Sequence, residues 1–233
     1  MPYGIPGVPL LSPDAGPVPP VPLQQPQNLF RFGEQTIWST LFHKASEALA
    51  SSTHRLFSVA QGGTGQGFVE SISIAETNLK EGGRIPAGVA YDVFGVACQV
   101  MHSGQTTDSS TNFNIPADSQ GLIKDLVNIQ SNGVLSWDFT QTVVDICPIL
   151  LAGAGGGAFG AVSSNAAQAN SGQMNNGNGS IWMYRKHPVA LPGNSTFSIV
   201  IRYGSRAAAI GASNSVGVRV VLLGYYKNVI EIG

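Results

Sequence analysis

The sequence predicts an all-β protein built as a β-sandwich. Three observations carry this. In the last fifty residues, Phe197, Ile199 and Ile201 alternate with Ser198, Val200 and Arg202, and Val218, Val220 and Leu222 alternate with Arg219, Val221 and Leu223. That is the period-2 pattern of a strand. β-branched and aromatic residues dominate these runs, as strands prefer. Gly-Asn-Ser and Ser-Asn-Ser clusters separate them, and turn signals recur at short intervals from residue 56 onward, which suits a sandwich or barrel better than alternating β and α units.

Taken in order, residues 1–33 read as an extended arm. Residues 1–28 hold nine of the fourteen prolines. Such a segment cannot be helix or a central strand and favours polyproline-like backbone. It is apolar rather than charged, with Ile5, Leu10, Leu11, Val18 and Val21 available as anchors on a neighbouring subunit. It lacks the basic start and unbroken apolar core of a signal peptide. Residues 34–55 are expected to hold one short amphipathic helix and a connector. Over 34–51, Ile37, Leu41, Ala45, Ala48 and Leu49 fall on one face at helical spacing, and Trp38 and Phe42 broaden it.

Residues 56–233 are assigned to the sandwich. Strands are expected at 56–59, at 68–79 around Glu70, Ile72, Ile74 and Glu76, at 89–101, and at 134–149 until Pro148. Closing runs follow at 181–184, 196–203 and 216–232. Residues 121–130 fit a strand, and Leu122, Leu126 and Ile129 also fit a short helix. Asn132-Gly133 is a turn dipeptide. Residues 151–180, rich in Gly, Ala, Ser and Asn, are expected to be one long loop without a core of its own.

Composition bounds the function. Apolar residues make up 43% of the chain, enough for a core, while only 11% are charged, well below the usual quarter. A charge-poor surface suits a protein covered by neighbours more than a free monomer. The net charge is −1 and Arg185-Lys186 is the only adjacent basic pair. Wrapping nucleic acid requires many cations to displace counterions, so direct nucleic acid binding is not expected. Cys98 and Cys147 lie in apolar runs and are expected as unpaired buried thiols. His43, His54, His102 and His187 are scattered without ligand spacing, so no metal site is expected.

No motif spells out a reaction, and neither a catalytic residue nor a cofactor is assigned. Gly155-Gly156-Gly157-Ala158-Phe159-Gly160 matches G-x-G-x-x-G. A dinucleotide site also needs a helix opening at the last glycine and an acid about 20 residues on. A Ser/Asn stretch follows instead, and no Asp or Glu occurs between Asp145 and Glu231. Phosphate-loop and nucleophile-elbow motifs are absent. Residues 146–162 lack charge but are short and glycine-rich for a membrane span.

Three local features point to a family. They are Gly82-Gly83-Arg84-Ile85-Pro86-Ala87-Gly88 entering a long strand, Leu191-Pro192-Gly193-Asn194-Ser195-Thr196-Phe197 turning into another, and Val218-Arg219-Val220-Val221-Leu222-Leu223-Gly224-Tyr225 closing the chain. Across residues 56–233 the chain resembles the major capsid proteins of tailless icosahedral bacteriophages, which stand a jelly roll upright on the shell. The resemblance implies a jelly-roll sandwich, a structural role in the virion, self-assembly with copies of itself, and an arm that ties neighbours together. Coats that bind their genome directly carry a basic arm, and this arm is not basic. The resemblance therefore implies another layer beneath the shell, a membrane or a second virion protein. Two other classes stay open. A carbohydrate-binding or adhesive sandwich would cluster exposed aromatics, for which Trp182, Tyr184, Tyr225 and Tyr226 are candidates. A sandwich hydrolase would pair carboxylates across a cleft, with Glu70, Glu76, Asp138 and Asp145 as the strand acids.

Overall fold

A computed structural model describes residues 29–102, 119–139, 142–154, 158–162, 171–175, 179–212 and 215–230. The arm residues Ile5, Leu10, Leu11, Val18 and Val21 lie outside this set. Among the described residues strands dominate, in two antiparallel sheets with one short α-helix, so the all-β expectation holds.

Two antiparallel sheets enclose one core. The first is built on β1 (Leu29–His43), β11 (Val216–Ile230) and β3 (Val89–His102), in the order β1-β11-β3. Two short strands, β8 (Trp182–Met183) and β9 (Val189–Leu191), both pair with β3 and complete it. The second sheet runs β2 (Thr53–Leu56), β10 (Phe197–Tyr203), β4 (Gly133–Phe139) and β5 (Thr142–Pro148). A separate hairpin joins β6 (Ala158–Val162) to β7 (Ser171–Asn175). The sandwich pairings nest: β1 with β11, β2 with β10, β3 with β8 and β9, and β4 with β5.

The closing strand organises the first sheet, and its alternation does what the sequence suggests. Val216, Val218, Val220 and Leu222 are fully buried. On β3 a bulge opposite Leu223 and Gly224 skips Phe94. One extra residue resets the period, so Tyr91 and Val93 face inward together with Val96, Cys98 and Val100. Gly224 is required here. A Cβ on it would stand 2.5 Å from the Asp92 carbonyl oxygen and 2.6 Å from the Tyr91 ring. Tyr91 donates its buried hydroxyl to the carbonyls of Gln35 and Leu222, joining all three long strands.

Residues 34–51 are not helical. Residues up to His43 belong to β1, which pairs with β11 in unbroken register from Leu29↔Ile230 to His43↔Val216. Ile37 and Leu41 are four apart, a spacing that both helix and strand periods satisfy. Ser39 and His43 occupy the same buried face, and their polarity hides the alternation. The described sandwich therefore includes residues 29–43, and 34–55 is strand, turn and strand within it. The described helix is α1 (Ser119–Asn132), which buries Leu126 and Ile129. Asn132-Gly133 marks its exit into β4 rather than a hairpin.

Four further expectations are corrected. The strand expected at 56–59 lies at Thr53–Leu56. Residues 68–79 form turns and bends rather than a strand. They wrap the free edge of β1: Thr77 donates to the Trp38 carbonyl, and the Asn78 amide accepts from Trp38 N–H and donates to the Thr36 carbonyl. The strand expected at 134–149 is the β4–β5 hairpin, and residues 151–180 include β6 and β7. A strand, not a helix, follows the glycine run at 155–157, so the dinucleotide motif lacks its helix.

Candidate functional site

The chemistry-bearing cluster of the sandwich lies where β1 hands over to β2. β1 ends at His43, on its inward face. The chain then turns through 44–52, where Ser46 and Ser51 take positive φ values of 61° and 57°. His54 follows on β2, paired with Ile201 of β10. The connection is fixed from outside: Ser46 N–H donates to the Gly211 carbonyl at 3.3 Å, Ile210 N–H to the Glu47 carbonyl at 2.9 Å, and Tyr203 N–H to the Ser52 carbonyl at 3.2 Å. Helix α1 holds the 208–211 segment in turn, through Asn128 to Ala208 and Asp125 to Gly211.

This arrangement aims the Glu47 carboxylate between two imidazoles. His43 Nδ1 lies 3.5 Å from Oε2, and His54 Nδ1 lies 3.5 Å from Oε1. The Lys44 amide donates to Oε2 at 2.7 Å. The other ring nitrogens are engaged by hydroxyls: His43 Nε2 with Tyr203 Oη at 2.8 Å, and His54 Nε2 with Ser52 Oγ at 3.1 Å. The two imidazoles pack edge to face, centroids 4.6 Å apart. His43 is completely buried, and its Nδ1 has no hydrogen-bond partner. A buried polar atom left unmet costs about 1–3 kcal/mol, so this atom calls for an explanation.

Burial works against ionisation of Glu47, but attraction to His43, the Lys44 amide and His54 outweighs it and lowers its pKa. Burial and the neighbouring His43 lower the pKa of His54, against the pull of Glu47. Burial pushes the Tyr203 hydroxyl well above its ordinary value. At neutral pH the cluster is thus a carboxylate facing a largely neutral His54, with a protonated phenol behind His43. A cleft of about 420 Å³, lined by Leu41, Phe42, Lys44, Ala45, Glu47, His54 and Gly67, opens beside it.

The histidines judged scattered in sequence are therefore partly brought together. The missed signal was His43 and Glu47 at i,i+4, with His54 one connection further on.

Of the aromatics considered for an exposed platform, Trp182, Tyr184 and Tyr226 pack against the core. Tyr184 accepts a 2.8 Å hydrogen bond from the Trp137 indole. Tyr225 alone of the four counts among the exposed large side chains, at 44%, with Phe94 at 5.0 Å. Of the acids considered for a paired site, Asp138 pairs with Arg55 at 2.6 Å, Asp145 pairs with Arg202, and Glu76 accepts from Ser73. Cys98 and Cys147 are buried free thiols. Among the described residues no helix is long and apolar enough to cross a membrane. No family model, curated protein or solved structure matches this chain.

Proposed function

We propose that this chain is a structural coat subunit: a jelly roll that assembles with copies of itself into an icosahedral shell of a virion. The nested strand pairing supports the jelly-roll part. With β8 and β9 counted as one interrupted strand, eight strands pair first with last, second with seventh, third with sixth and fourth with fifth. A long hairpin rolled up in this way gives the two Greek keys of a jelly roll.

Fold alone does not carry function. The observation that carries the assembly reading is the apolar outer face of the first sheet. Ile181, Met183 and Tyr225 are 41%, 46% and 44% exposed. Ile181, Met183 and Leu223 converge on Gly95, with side-chain atoms 3.1–3.5 Å from where its Cβ would be. Contiguous apolar surface of this kind marks contact sites. A charged fraction of 11% gives the remaining surface little to keep copies apart. Arg55, Arg202, Arg219 and Lys227 are engaged within the subunit, which favours a second layer over direct genome contact. An adhesive role draws less support, because three of its four candidate aromatics serve the core.

Sedimentation velocity on the purified full chain tests this reading. The wild type is expected to sediment as large assemblies, and Met183→Lys with Tyr225→Lys as a folded, smaller species. Identical sedimentation of both proteins would remove the outer face from the account.

A further inference from the structure

We propose that His43 Nδ1, His54 Nδ1 and a Glu47 carboxylate oxygen bind a divalent transition-metal ion, with Zn²⁺ the best match to the donors. Two imidazoles and one carboxylate form a known zinc donor set, whereas Mg²⁺ and Ca²⁺ prefer all-oxygen sites. One donor atom from each residue lies within 4.8 Å of the other two. His43 Nδ1 lies 3.5 Å from Glu47 Oε2 and His54 Nδ1 lies 3.5 Å from Oε1. Those spacings are long for hydrogen bonds. Ligands about 2.1 Å from a tetrahedral ion stand roughly 3.4 Å apart, so a small turn of the partly exposed Glu47 carboxylate would bring one oxygen to both imidazoles.

The surroundings fit a ligand set. His43 Nδ1 is fully buried and unmet by any hydrogen bond, and it lies 3.5 Å from the carboxylate. With an ion bound, its lone pair gains a partner. The opposite nitrogens, on Tyr203 Oη and Ser52 Oγ, have the outer contacts that fix ring orientation in metal-bound histidines. His43 is fully buried, while His54 and Glu47 are partly exposed and can close the set. The cleft beside Glu47 and His54 gives an ion a way in and leaves a fourth position for water. The ion would tie β1 of one sheet to β2 of the other across one end of the sandwich. This proposal does not depend on the coat reading.

The test uses the full chain, stripped with a chelator and titrated with Zn²⁺, Co²⁺ or Mg²⁺. Calorimetry should show one Zn²⁺ per chain, with no response to Mg²⁺. Thermal unfolding should shift upward with Zn²⁺. Co²⁺ should give the visible bands of a tetrahedral nitrogen–oxygen site, a readout that requires no variant. Glu47→Gln and His54→Ala should each weaken Zn²⁺ binding about tenfold or more, whereas His187→Ala should leave it unchanged. Absence of the cobalt bands overturns the proposal. So does Zn²⁺ binding that survives both cluster substitutions.

Discussion

At the scale of single residues, burial decides the chemistry. Burial raises both thiols, Cys98 strongly and Cys147 to about 11. Since the thiolate is the reactive form, neither cysteine should be alkylated by iodoacetamide at pH 8 in the native protein, and both should be in denaturant. Labelling of one native cysteine at the rate of a free thiol would contradict its placement. Asp145 gives a pH prediction. The Ser136 hydroxyl and Arg202 hold its carboxyl below the ordinary range, against slight desolvation. A depressed folded-state pKa means that the stabilisation is present above the unfolded value, about 3.9, and is lost as pH falls through the folded value. Asp145→Asn should therefore lower stability at pH 7 but not at pH 2. The pair is exposed, so the effect should stay under about 1 kcal/mol. A difference that persists at pH 2 would show that the substitution acts through something other than charge. The His43–Glu47–His54 cluster was the least legible feature at this scale. Sequence places two of its members near each other, but only the turn through 44–52, from one sheet to the other, brings in His54.

At the scale of elements, legibility followed periodicity. β3, β10 and β11 could be read because most of their buried positions are aliphatic or aromatic. β1 could not, since Ser39 and His43 take two of its inward places and Ile37 and Leu41 mimic a helix. The β4–β5 hairpin was hidden because Thr140-Gln141 carries none of the Gly, Asn or Pro signals that announce a turn. The strand reading of β1 has a sharp consequence. A helix over 34–51 would bury Ala48 beside Leu41, whereas in the sandwich Ala48 is exposed and Leu41 is 4% exposed. Leu41→Ala should cost about 2–5 kcal/mol, and Ala48→Lys should stay within about 0.5 kcal/mol. Denaturant titrations of the two variants measure this. A large cost for Ala48→Lys would favour the helix.

At the scale of the molecule, the sheets and their nested pairing supply a complete sandwich from residue 29 onward. Residues 1–28, which lie outside the described residues, are expected to act between subunits. As polyproline at about 3.1 Å per residue they would reach on the order of 85 Å, far beyond a domain whose radius of gyration is about 17 Å. Ile5, Leu10, Leu11, Val18 and Val21 would each contribute roughly 1.5–3 kcal/mol if fully buried on a neighbour, before ordering entropy. Deleting residues 1–28 should leave the subunit's Tm nearly unchanged and weaken or abolish assembly. Assembly of the truncated chain at wild-type concentrations would reduce the arm to a tail. Electron microscopy of the purified full chain tests whether the sandwich is a shell subunit. Closed shells or regular arrays are the predicted result. A uniform field of single 24.3 kDa particles at every protein concentration would contradict it.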